Sequence, residues 1–96
     1  MKMVMVVYNE AIESEVMDAL EGLGAANYTK FVDVQGRGGS SGPHLGTTIW
    51  PKKNHVLLMA VEDDAAGRIL EAIRRLRATV GNEGVKGFVL HLEDIT

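Results

Sequence analysis

Apolar and polar positions alternate with two different periods along this chain, and the switches between them mark its elements. Met1 to Tyr8 is a short run rich in valine and methionine and ends at Asn9, which predicts a strand. Asn9 can cap a following helix, in which Ile12, Val16, Leu20 and Leu23 fall at helical spacing. Glu10, Glu13, Glu15 and Asp18 lie largely on the other side, and Gly22 and Gly24 end the helix. Thr29 to Gln35 alternates again and carries β-branched residues, so a second strand is expected there. His55 to Glu62 is a nearly continuous apolar run of strand length. Asp63 or Asp64 is then the expected cap of a second helix, with Ile69, Leu70, Ile73, Leu76 and Val80 on its buried face and Gly81 as its stop. Arg68, Arg74, Arg75 and Arg77 read as a solvated face, mostly toward the end where positive charge suits the helix dipole. Phe88 to Glu93 closes the chain as a fourth strand, with Phe88, Leu90 and Leu92 on one face.

The order β-α-β-β-α-β is that of a ferredoxin-like α+β fold: a four-stranded antiparallel sheet with two helices on one face. It occupies residues 1–96 as a single domain, with no linker in sight. The first strand is apolar on both sides, since Met3, Met5 and Val7 oppose Val4, Val6 and Tyr8. Helices on one face would leave the other apolar face in water. A patch of that kind marks an interface, so the sheets are expected to pack against one another in an oligomer.

Composition narrows the function. A net charge of −3 over 96 residues argues against a general nucleic-acid binder. The absence of cysteine removes disulfides, thiolate metal sites and one class of nucleophile. The apolar start is far too short to span a bilayer and lacks a small-residue cleavage site, so a cytoplasmic protein without membrane insertion is expected. Ser40 and Ser41 have no evident base beside them, and the paired Asp63 and Asp64 are accounted for as a helix cap. No enzyme is expected.

The least core-like stretch lies between the second and third strands, from about Gly36 to Asn54. It holds Gly36, Arg37, Gly38, Gly39, Gly42, Pro43, His44 and Pro51. Long loops in compact domains are usually functional or disordered. Glycine backbones expose N–H groups that can form an anion nest, and a nearby arginine or lysine adds charge. A second, shorter glycine loop runs through Gly81 and Gly84 to Lys86. A flexible hairpin connection and a solvated lysine are the plain alternatives.

Three segments, FVDVQGRG, VEDDAAGRILEAI and VKGFVLHLED, together with the element order, resemble the PII-like signalling proteins. The resemblance implies a homotrimer that binds an adenine nucleotide in clefts between subunits and reports occupancy through its loop to a target protein, such as a transporter or an enzyme. It also implies ligand-binding roles for Gly36, Arg37, Gly38 and Gly39 at the loop base, and for Gly81, Gly84 and Lys86 before the last strand. Several features depart from the family pattern. The loop is short and has no tyrosine to modify, Ser40 stands where a glutamine is usual, and the chain stops at Thr96, before the family's C-terminal arginines. Sensing of ATP with 2-oxoglutarate is therefore not expected.

Two other functions fit the same residues. One is a divalent-metal-binding trimer of CutA-like type, with His44 as its main candidate ligand. The other is an interaction module without a small ligand, in which the loop and Trp50 dock a partner. His55 and His91 lack metal-site spacing, and His91, opposite Phe88, Leu90 and Leu92, is a candidate for a subunit interface.

Overall fold

The computed structural model describes residues 1–36, 53–81 and 84–96. These form β1 (Lys2–Asn9), α1 (Glu13–Leu20), β2 (Thr29–Gln35), β3 (Lys53–Val61), α2 (Asp63–Val80) and β4 (Val85–His91), with a 3-10 turn over Glu10–Ile12 ahead of α1. The strands make one sheet in the order β2-β3-β1-β4, and every described pairing is antiparallel. This is the expected ferredoxin-like arrangement, with β1 and β3 central and β2 and β4 at the edges.

Local chemistry explains most boundaries. Asn9 has an extended backbone, and its side-chain oxygen accepts from the Ala11 N–H at 2.9 Å, so it caps the turn as its position suggests. Gly81, at φ 97°, stops α2 in a conformation that a side chain would strain. The cap of α2 differs from expectation. Glu62 holds the N-cap position without a side-chain bond, while Asp63 and Asp64 lie in the first turn, where negative charge suits the dipole. β3 and β4 also begin earlier than their apolar runs. Lys53, Asn54 and Val85 to Gly87 join the ladders through backbone bonds that ignore side-chain polarity.

β2 is not a plain strand. The register slips between Phe31 and Val34, and Asp33 sits at φ 56°, a left-handed conformation that aspartate tolerates better than most residues. The bulge puts Phe31 and Val34 on the same face, opposite Val56 and Asn54 of β3.

One face of the sheet carries the core. Val4, Val6 and Tyr8 of β1 and Leu57, Met59 and Val61 of β3 are buried beneath Val16 and Leu20 of α1 and Ala65, Ala66, Ile69 and Ile73 of α2. Leu70, Leu76 and Val80 pack around its margin, as their spacing predicts. On the other face, Met3, Met5 and Val7 stand in register with Ala60, Leu58 and Val56 of β3 and with Leu90, Phe88 and Lys86 of β4. No described helix covers this side, and Phe31, Phe88 and Leu90 are 48%, 41% and 46% exposed. His91 projects to the helix side, being two residues from Val89, which pairs with the core residue Val4. It is thus not on the bare apolar face.

Candidate functional site at the loop-bearing rim

The ends of all four strands meet along one rim of the sheet. β2 leaves it at Gly36, β3 enters at Lys53, β1 ends at Asn9 and β4 starts at Val85. Across the rim, Asn54 pairs with Asn9, and the Asn9 N–H donates to the Gly84 carbonyl at 2.8 Å. The Gly84 N–H reaches back to the Gly81 carbonyl at 3.4 Å. A Cβ built on Gly36 would overlap the side-chain amide of Asn54, so glycine lets the strand end lie against that residue. Gly36, Gly81, Gly84 and Lys86 are therefore brought to one rim.

They do not converge on one point. β2 and β4 are opposite edges, three inter-strand spacings or about 14 Å apart. Lys86 lies on the bare face opposite Val7, with its ammonium 5.6 Å from the Phe88 ring centre. Arg37, Gly38, Gly39, His44 and Trp50 lie outside the described residues. Among the described residues, no three histidine, aspartate or glutamate side chains are clustered to hold a metal. Among them, too, no helix is long and apolar enough to cross a membrane.

A cluster that the sequence reading missed stands beside the rim, on the helix side. Glu13, the first residue of α1, accepts hydrogen bonds from the Tyr8 hydroxyl and the Lys30 ammonium, and faces His55 Nδ1 at 3.0 Å. The Tyr8 and His55 rings meet edge to face with centroids 5.6 Å apart. Burial raises the Tyr8 hydroxyl above its usual range, and the Glu13 carboxylate beside it adds to the effect. Partial burial pushes Glu13 the other way from its partners, but the bonds from Lys30, Tyr8 and His55 outweigh it and hold the carboxyl at about 2. These residues are 5, 17 and 42 positions from Glu13, so no local motif announces them. The only sequence signal is Tyr8 itself: a tyrosine on the core face must find a partner for its hydroxyl.

Comparison with known proteins agrees with this geometry. The family model described as nitrogen regulatory protein P-II matches residues 1–96. A Methanococcus maripaludis protein described as nitrogen fixation nifHD region glnB-like protein 1 is 36% identical over 80 residues, covering 82% of this chain and 75% of its own. Among solved structures, a PII-like signalling protein of Thermus thermophilus superposes with a TM-score of 0.65 at 23% identity, over 92% of this chain and 80% of that one. CPII of Thiomonas intermedia, a nitrogen regulatory PII-like protein bound to ADP, AMP and bicarbonate, gives 0.65 at 16% identity, over 99% and 94%. The same protein bound to ADP, AMP and acetate gives 0.70 at 19% identity, over 93% and 82%. With the family model spanning residues 1–96 and the strand order in place, this chain belongs to the P-II family of regulatory proteins.

Proposed function

We propose that the protein is a homotrimeric sensor that binds an adenine nucleotide along its loop-bearing rim, between subunits, and signals through the 37–52 loop to a target protein. The observation that carries this reading is the spread of the rim. Gly36 and Gly84 mark its two ends, about 14 Å apart, with Asn54 and Asn9 between them. A compact anion can reach only one end. An elongated nucleotide, with its phosphates at one end and its base at the other, suits the whole length. The bare apolar face supports the oligomer: Phe31, Phe88 and Leu90 are large, close to half exposed, and continuous with Met3, Met5 and Val7. CPII, similar in fold, is known bound to ADP and AMP. Arg37, Gly38, Gly39 and Lys86 belong to this reading as phosphate-binding groups, and a transporter or an enzyme is the kind of target it implies.

Isothermal titration with ADP, AMP, ATP and inorganic phosphate tests the reading. Micromolar to millimolar binding of a nucleotide, no measurable binding of phosphate, and about tenfold weaker nucleotide binding by Lys86→Ala are expected. Equal binding of phosphate and ADP, or affinity unchanged in Lys86→Ala, would contradict it. Signalling requires that the ligand favour one state of the loop over another, which hydrogen exchange across residues 37–52 with and without ADP would report.

A further inference from the structure

Among the described residues, the cluster at Glu13 leaves one ring nitrogen without a suitable partner. His55 is 16% exposed and held on two sides. Its Nδ1 faces a Glu13 oxygen at 3.0 Å, and Glu13 is ionised and already accepts from Tyr8 and Lys30, so Nδ1 must be the donor. A neutral imidazole has one N–H, so Nε2 then carries a lone pair. What Nε2 faces is another acceptor, a carboxylate oxygen of Glu10 at 3.9 Å. That approach is too long for a hydrogen bond and repulsive while the ring is neutral.

Polar groups from four elements surround the ring. Tyr8 contributes from β1, Glu10 and Glu13 from the turn and α1, and Lys30 from β2, with the Tyr28 ring 5.8 Å beyond the Lys30 ammonium. Among the described residues this places two carboxylates against one ammonium, a deficit of one positive charge. A proton on Nε2 would turn the opposed acceptors into a donor and a carboxylate. A resident metal is less suited to the gap, because His55 and Glu10 give two ligands where zinc takes three or four from protein.

The cluster is also well placed to affect the rim. Glu10 directly follows Asn9, whose N–H holds the Gly84 carbonyl. His55 directly follows Asn54, whose amide lies against Gly36. We propose that His55 and Glu10 form a proton-operated latch: a proton taken from water onto His55 Nε2 closes the ring onto Glu10 and braces the rim between Gly36 and Gly84. Histidine is the side chain suited to such a switch between about pH 5 and 8. The effect of the latch on nucleotide binding rests on the function proposed above; the proton site does not.

Two readouts on the intact protein test the latch. Nitrogen-15 NMR of the imidazoles, with His55→Gln to assign the signal, should show neutral His55 as the Nδ1–H tautomer at pH 8.5. Thermal unfolding of wild type, Glu10→Gln, His55→Gln and the double variant should give a coupling of about 2–4 °C in Tm at pH 6. At pH 8.5 that coupling should vanish or reverse. An Nε2–H tautomer, or a coupling equal at the two pH values, would overturn the latch. ADP affinity at both pH values separates the two proposals: failure to bind at either pH counts against the nucleotide sensor, while the unfolding cycle still decides the latch.

Discussion

Alternate residues of β1 meet opposite fates. Val4, Val6 and Tyr8 are sealed under two helices, while Met3, Met5 and Val7, equally apolar, look onto a face that no described helix covers. A strand that only needed to fold would alternate apolar with polar residues, as half-solvated antiparallel strands do. This one places hydrophobic side chains on both sides, and β4 and β2 extend the bare side with Phe88, Leu90 and Phe31. The difference teaches that the covered face makes the protomer, and the bare face is the one on which the proposed assembly would close. In the proposed function the ligand lies along the rim where the strands end, with Lys86 reaching it from the bare face.

Substitutions can break this division. The largest effect is expected on the covered face. Leu57 is fully buried between β1 and the helices, and Leu57→Ala should cost about 2–5 kcal/mol, enough to unfold much of the population in urea titration. On the bare face, Phe88→Asp or Leu90→Asp should leave the circular dichroism of the protomer intact and convert the oligomer to single chains in light scattering. Unfolding of these variants as monomers would erase the distinction between the two faces.

The Glu13 cluster sharpens the comparison, since it is the polar edge of the covered face. Glu13→Ala removes the acceptor for Tyr8 and Lys30 and should cost about 1–2 kcal/mol, reduced from a fully buried network by its partial exposure. The same group predicts a pH dependence. Glu13 is held at about 2 in the folded chain, below its ordinary value of 4.5, so the stability it contributes is complete above that ordinary value. It is lost as pH falls from there through about 2. Glu13→Gln should therefore flatten the acid limb of the unfolding curve, and an unchanged limb would mean that the carboxylate is not held as described.

A smaller effect is expected at Gly36→Ala. The added methyl must displace the tip of the Asn54 side chain, which can rotate, so a loss of about 1 kcal/mol or less is expected by urea titration. Asn54→Ala should relieve it. The smallest effect belongs to the outer face of α2. Arg68 pairs with Asp64 at 3.3 Å across one exposed turn, and Arg68→Ala should change stability by no more than about 0.5 kcal/mol.

Much of this was legible in the sequence because it is local. Helical spacing in Ile69 and Ile73, the cap at Asn9 and the stop at Gly81 each act within a few residues of themselves, whereas α1 ends at Leu20, before Leu23 and the glycines expected to stop it. Strand starts were less legible. Lys53 and Asn54 are polar, and they pair because neighbouring strands offer free backbone groups beside them. The bulge at Asp33 was hidden for a similar reason: plain alternation in TKFVDVQ gives no sign that the ladder slips there. Of the site, the glycine loops and Lys86 pointed to the rim, but their separation across it depends on the strand order. The Glu13 cluster joins residues from three strands and a helix, and no single window of sequence contains it.

The central claim is that the bare face closes between copies while the rim binds nucleotide, and native mass spectrometry of the protein titrated with ADP tests both parts at once. The account predicts a three-chain species that takes up ADP in steps to three per assembly, and a Phe88→Asp variant that appears as single chains with weakened uptake. Wild-type protein found as single chains without bound ADP at tens of micromolar would contradict it.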